Sequence, residues 1–244
     1  MVTMKFFIKK VNNLSSSAKI MRLAFFWMLT FTLLGANDIF AENSKEKSCD
    51  ETHLTARDVF TKLECPALEI LPVSRRLDML DYWDTDSIYK ASNVMEGLSW
   101  LEAMTDDYLK IHITNVSNLE IKILPDKKSE LVMTVYTIGS DSQAQDSQID
   151  FYDCNLTKLE TGKYFEMPDL KNFFEIPKGS ITSMKEIKDM IPFPTMAFSI
   201  SEKGYVLTAR LTVEDYMNVD DWNIIRLFLK PSIESEWKKE KLKF

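Results

Sequence analysis

Glycine, histidine and cysteine are all scarce in this chain: six glycines, two histidines and three cysteines in 244 residues. Beyond Gly35, the glycines (Gly97, Gly139, Gly162, Gly179, Gly204) stand singly. A phosphate-cradling loop or a dinucleotide fingerprint needs clustered glycines for close backbone approach, so both are excluded. His53 and His112 are the only histidines. HExxH and the G-x-S-x-G elbow are absent, and any serine or cysteine triad would have to recruit one of these two imidazoles. Cys49, Cys65 and Cys154 form no CxxC pair, which excludes a thioredoxin-like redox site and a four-cysteine zinc site. One disulfide fits the count, with three pairings open and at least one thiol left over. No catalytic residue, metal ligand or cofactor is assigned on this basis.

What is present is an ordinary globular composition, 45% hydrophobic and 27% charged, behind an unusual beginning. Lys5, Lys9, Lys10, Lys19 and Arg22 precede the apolar run "LAFFWMLTFTLL", residues 23–34, and "GANDIFA" follows it. A basic flank, a short apolar run and a small residue predict a secretory signal peptide over 1–41, cut between Ala41 and Glu42. Met21 is an alternative start, because "MRLAFFW" alone makes a compact signal. A run of 12 residues falls short of the roughly 20 needed to cross a bilayer, so no stable membrane span is expected after cleavage. The first 41 residues hold five of the 30 Lys and Arg but one of the 37 Asp and Glu, so the cleaved chain would carry about −11. Such acidity argues against nucleic acid as a partner, because phosphate binding needs a basic surface.

Hydrophobic periodicity divides the rest. Thr55 and Asp58 have capping-box spacing ahead of Val59, Phe60 and Leu63, which predicts a helix stopped by Pro66. After Ser74, Leu77, Leu80 and Trp83 predict a second helix with those three on its packed side. From about residue 87 the period becomes two. Leu109, Ile111 and Ile113 alternate with Lys110, His112 and Thr114; Leu119, Ile121 and Ile123 alternate with Glu120 and Lys122. Leu131, Met133, Val135, Ile149 and Phe151 continue the pattern, so 87–153 is read as half-buried strands. The connectors "NVSN" (115–118) and "PDKKSE" (125–130) are too short for parallel crossovers, which makes the run an antiparallel meander. Ser183 and Glu186 cap a further helix with Met184, Ile187 and Met190 on one face, ended by "IPFP". Met196, Phe198 and Ile200 then alternate, "SEKG" turns the chain at Gly204, and Tyr205 to Val213 returns. Ile225, Leu227 and Leu229 predict one more strand. The fold class is α+β: short N-terminal helices, antiparallel meanders and a helical insertion near 168–191, in a single domain over 42–244.

Four groups of residues are candidates for chemistry. Asp106-Asp107 in "EAMTDDYLKIHIT" is read as a turn, because adjacent strand residues point to opposite faces and Asp bonds its own backbone in turns. Asp78, Asp81, Asp84 and Asp86 lack EF-hand spacing and its glycine, and fit a solvated helix face. The segment 141–150, "DSQAQDSQID", is read as a polar loop. Trp83, Trp100, Trp222 and Trp237 are read as core rather than as a sugar platform.

The segments "RLDMLDYW", "MTDDYLKIHI", "LEIKILP", "TVYTIGSDSQ", "DSQIDFYD" and "LKPSIESEW" together resemble an exported protein family of Bacteroidales, a domain of unknown function. The resemblance runs from about residue 55 to the C-terminus, although the terminal "EWKKEKLKF" is more basic than the family's ending. It implies an envelope protein of gut-type anaerobes with no established activity, and it brings no catalytic residues. The expectation is therefore an exported, non-catalytic protein of the periplasm or surface of a Gram-negative bacterium, binding a protein, glycan or small ligand. The alternative is a hydrolase using carboxylates gathered from separate strands.

Overall fold

Capping chemistry sets the first helices. In the computed structural model, which describes residues 53–127, 129–140 and 143–244, α1 spans Ala56–Lys62. The Thr55 hydroxyl accepts from Asp58 N, and Lys62 reaches back to Asp58 at 3.0 Å. Val59, Phe60 and Leu63 are fully buried, as the pattern requires, and Pro66 opens a 3-10 turn instead of extending the helix. Helix α2, Val73–Trp83, departs from expectation in its face. Leu77 is 45% exposed, whereas Arg76, Met79 and Leu80 are buried. Positions spaced by three drift around an α-helix, and the i, i+3, i+4 set is the one that stays on one side. The buried cation on that face hid the true stripe. Arg76 donates to the carbonyls of Phe60 and Leu63, both at 2.9 Å, and through Nε to Leu71 at 3.1 Å. It thereby satisfies carbonyls that the end of α1 leaves without intrahelical partners.

The meander is present as expected. Strands β1 (Ala91–Ser92), β2 (Leu98–Met104), β3 (Tyr108–Thr114), β4 (Ser117–Pro125), β5 (Glu130–Ile138) and β6 (Asp146–Tyr152) form one antiparallel sheet in sequence order. The polar loop expected over 141–150 is shorter than that, because Asp146 already pairs with Ile138. Gly139 makes this corner at φ +113°, where a Cβ would lie 2.4 Å from the Ala144 carbonyl oxygen.

A second, three-stranded sheet has the order β10-β9-β8, with β8 at Met196–Ile200, β9 at Val206–Leu211 and β10 at Ile233–Glu236. Two short segments, β7 (Phe165–Glu166) and β11 (Leu242–Lys243), pair in parallel. The insertion near 168–191 holds a 3-10 turn, Leu170–Phe173, and helix α3, Met184–Met190, whose Ser183–Glu186 capping box is complete. The strand expected around 225–229 is replaced by helix α4, Val219–Ile225. Asn218 accepts from Asp221 N at 2.8 Å, and Asp220 and Asp221 fill the first turn, where acids favour the helix dipole. Leu227 is 74% exposed, so the alternation there reports no strand.

The six-stranded sheet is covered on both sides. Leu109, Ile111, Leu119 and Ile121 face a core completed by Phe60, Leu63, Met79 and Leu80 of the helices. Tyr108, Met133, Val135 and Phe151 belong to a second core with Phe198, Leu207 and Trp237. The expectation of half-buried strands therefore fails for β4, where Glu120 is 4% exposed and Lys122 is 0% exposed. Strand β8 packs against β4, β5 and β6 and shuts off their outer face.

Candidate functional site

Asp106-Asp107 occupies the β2–β3 turn. The Asp106 carbonyl accepts from Ala56 N at 2.7 Å, and the Asp107 carbonyl accepts from Ile123 N at 2.8 Å. Thr105 donates its hydroxyl to the Asp107 carboxylate. The two side chains serve different ends: Asp106 is exposed, while Asp107 holds Lys122 Nζ at 2.8 Å. Lys122 also donates to the Glu202 carbonyl at 2.9 Å and lies over the rings of Tyr108 and Tyr205. A buried ammonium is tolerated only when its protons are used, and these contacts use them.

Two residues away on the same face sits Glu120. Its carboxylate accepts from Ile200 N at 2.6 Å and from the Tyr108 hydroxyl. Burial pushes its pKa up to about 7; the Ile200 N–H, Lys110 and Tyr108 pull in the opposite direction. Burial likewise raises the Tyr108 hydroxyl, helped by the charges of Glu120 and Glu102.

Glu120 is one of three caps on one strand edge. Thr195 and Ser201, flanking β8, bond toward β9, so Met196, Phe198 and Ile200 direct their N–H groups away from it. Those three groups donate to Asp146 Oδ1 at 3.2 Å, Ser147 Oγ at 2.9 Å and Glu120 Oε2 at 2.6 Å. An edge strand must dispose of its unpaired N–H row, and here side chains of the larger sheet do so. The smaller sheet thus stands edge-on upon the larger, with β8 crossing from β6 to β4.

An edge laid on a curved face leaves gaps, and two cavities share the Phe198 ring as a wall. The larger, about 620 Å³, has Met167, Leu170, Ile191, Pro194 and Met196 among its apolar lining. Its polar groups are Asp146, Ser147, Asp169 and Lys188. The Asp169 carboxylate is held below its ordinary range, chiefly by the Lys171 N–H, and lies 3.3 Å from Lys188. The smaller cavity, about 250 Å³, has a mixed lining: Phe198 and Ala197 are apolar, Lys110, Glu120 and Arg210 bring charge, Asn118 and Gln145 amides, Ser199 and Thr208 hydroxyls.

Of the other candidates, the segment 141–150 supplies Asp146 and Ser147 to the larger cavity and Gln145 to the smaller, and the rest are not among the lining residues. Asp78 pairs with Arg75 at 3.3 Å and Asp84 with Arg57, each on the surface. Among the described residues no group of three or more His, Cys, Asp or Glu is placed to hold a metal. His53 pairs with Glu130 at 2.8 Å. His112 pairs with Glu102 at 2.5 Å and stacks on Trp100 at 4.4 Å, so the histidines serve different strands. Trp237 is core, donating its indole N–H to the Pro125 carbonyl, while Trp83, Trp100 and Trp222 are half-buried. Cys65 is a free, buried thiol and Cys154 is disulfide-bonded, which removes the pairings that use Cys65. Cys49, Ala41 and Glu42 lie outside the described residues. No helix among the described residues is long and apolar enough to cross a membrane.

Of the groups that build the joint between the sheets, Glu120 and Lys122 are not candidates in the sequence, and Asp146 and Ser147 are so only as part of the polar segment 141–150. Alternation assigned Glu120 and Lys122 to solvent, and Asp146 and Ser147 fell within the polar run. No local signal distinguishes a polar residue facing water from one facing a second sheet.

The fold has a solved counterpart. A domain of an uncharacterized protein from Porphyromonas gingivalis W83 matches with a TM-score of 0.65 and 19% identity, over 79% of this chain and 98% of that one. At that identity the likeness concerns the fold alone. No curated protein matches the chain. The model of a family of proteins of unknown function, DUF3256, matches residues 52–242, and the chain belongs to that family.

Proposed function

We propose that the protein is an exported, non-catalytic binding module of the periplasm or cell surface, with the larger cavity beside β8 as its ligand chamber. The observation that carries this reading is the chamber's make-up. It is a concavity of about 620 Å³ in which apolar side chains, among them Met167, Leu170, Ile191 and Met196, stand with a few polar ones. Small-molecule sites have this size and this division of labour. Export is supported by the basic, then apolar, then small-residue pattern of 1–41 and by a disulfide at Cys154, since disulfides persist in oxidising compartments. A Gram-negative, Bacteroidales setting is supported by the resemblance of the sequence segments.

The chamber also bears on the hydrolase alternative. Its two carboxylates, Asp146 and Asp169, each accept from a backbone N–H, Met196 and Lys171 respectively. Asp169 is held ionised, which suits an anchor and not a general acid. The test is a ligand screen by protein NMR on the wild type and on Met167→Trp. Met167 is exposed at the chamber wall, so tryptophan there fills space without disturbing the core. Ligands that shift chamber amides in the wild type and fail to do so in M167W support the reading. It is overturned by ester, phosphate or glycoside turnover that Asp146→Asn or Asp169→Asn abolishes.

A further inference from the structure

We propose that the smaller cavity, between β4 and the β8–β9 hairpin, is a separate site for a small hydroxylated monocarboxylate of the sugar-acid type, with Arg210 as its principal cation and Glu120 as a protonation gate. This does not depend on the larger chamber having a ligand.

The argument starts from charge. Arg210 donates to a neutral amide, Gln145 Oε1, at 2.7 Å. Among the described residues no carboxylate lies within ion-pair distance of it, although the chain is acidic. The second cation of the cavity, Lys110, is offset by Glu102 at 2.8 Å. One guanidinium without a counter-charge suits a monoanion, and its planar fork suits a carboxylate. Elsewhere in the lining, Asn118, Gln145, Ser199 and Thr208 offer amide and hydroxyl groups. Such groups recognise hydroxyls, and a volume of about 250 Å³ lies below that of drug-sized pockets, so the ligand is small.

Glu120 decides when the anion is welcome. The groups acting on it are Lys110 and Tyr108 from β3, Glu102 from β2 and the Ile200 N–H from β8, while Lys122 shares its face of β4, Glu202 of the β8–β9 turn acts on Tyr108, and Arg210 of β9 lines the same cavity. The carboxyl is nearly buried, accepts from Ile200 N and Tyr108, and meets solvent only through the cavity it lines, so its charged form is poorly hydrated. Protonated, it leaves the cavity net positive; ionised, it repels a bound carboxylate. Because its pKa is raised to about 7, the change falls near neutrality. Affinity is therefore greatest below pH 7 and declines as pH rises through it, by about tenfold for each unit by which the anion raises the Glu120 pKa.

The experiment is an NMR titration of the wild-type protein with glucuronate, with glucose and inorganic phosphate as controls, at pH 6 and pH 8. The expected result is saturable shifts of the Ser199, Thr208 and Arg210 amides with glucuronate, weaker at pH 8 by several-fold and up to about tenfold, and none with glucose. Arg210→Gln, on an exposed position, weakens binding by about tenfold, the loss of one charge-assisted pair. Glu120→Gln makes the affinity independent of pH between pH 6 and pH 8. Equal shifts with glucose, tighter binding of phosphate, or shifts confined to other regions overturn the site. An affinity unchanged between pH 6 and pH 8 in the wild type overturns the gate.

Discussion

The two faces of the six-stranded sheet are built on different rules. The face under α1 and α2 is dry. Leu109, Ile111, Ile113, Leu119, Ile121 and Ile123 stand in paired rows across β3 and β4, and the helices add Phe60, Leu63, Met79 and Leu80. The face under β8 carries Tyr108, Glu120 and Lys122 in the same two strands, each nearly inaccessible. The first face gains stability from area removed from water, which depends on little but shape and apolarity. The second must match every donor to an acceptor, because an unmatched buried polar group costs more than a good bond returns. The contrast teaches that one strand can carry two kinds of core at once, with alternating residues obeying separate constraints.

Substitutions sharpen that contrast in order of expected size. Phe60→Ala should lose about 4 kcal/mol at every pH, since a large void opens in the dry core and no titrating group is involved. Urea unfolding at pH 5 and pH 8.5 checks it, and a loss that varied with pH would erase the distinction between the faces.

Glu120→Gln should behave in the opposite way. The folded-state pKa of Glu120 is raised from 4.5 to about 7. Its favourable contribution is therefore whole below about pH 4.5 and is lost as pH rises through about 7. Glutamine keeps an acceptor for Ile200 N and does not ionise. The variant should match the wild type near pH 4.5, gain on it as pH climbs, and be more stable by about 3 kcal/mol above pH 8. The same denaturant series reads this, and equal stabilities at pH 8.5 would show that Glu120 does not sit as a buried acid.

Lys122→Met removes a cation whose partners are the Asp107 carboxylate and the Glu202 carbonyl. Asp107 is partly solvated and recovers water, so a loss of about 2 kcal/mol is expected. Amide exchange should quicken most in the β8–β9 hairpin, where Glu202 loses its donor; uniform quickening across both sheets would contradict the local assignment. Smallest is Thr55→Ala, which deletes the cap of α1 at a cost of about 1 kcal/mol, read as a modest fall in thermal midpoint.

Much of the fold was legible before any coordinates. The period-two runs placed β3 to β6, and the capping residues Thr55, Ser183 and Glu186 placed two helices, because these signals act over a few residues. The errors have specific causes. The three-residue spacing of Leu77, Leu80 and Trp83 puts Leu77 inward, yet the buried set is Arg76, Met79 and Leu80, with the Arg76 guanidinium serving the end of α1. Leu227 belonged to an alternation that the Asn218 cap and two aspartates override. Of the candidate site, almost nothing was legible. Asp106-Asp107 was correctly assigned to a turn, but the partnership of Asp107 with Lys122 joins residues from different hairpins.

The sequence by itself determined the period of each strand, the helix caps, the scarcity of motif chemistry and the acidity of the chain, all of which depend on neighbours within a turn or a pleat. Only the tertiary structure decided that β4 is buried twice, that β8 ends its hydrogen bonds on Asp146, Ser147 and Glu120, and that Arg210 lines the smaller cavity. The physical reason is range. Periodicity records which face of an element avoids water, but the partner of a polar side chain is set by whichever element, tens of residues away, closes over it: Glu120 and Ile200 are 80 residues apart.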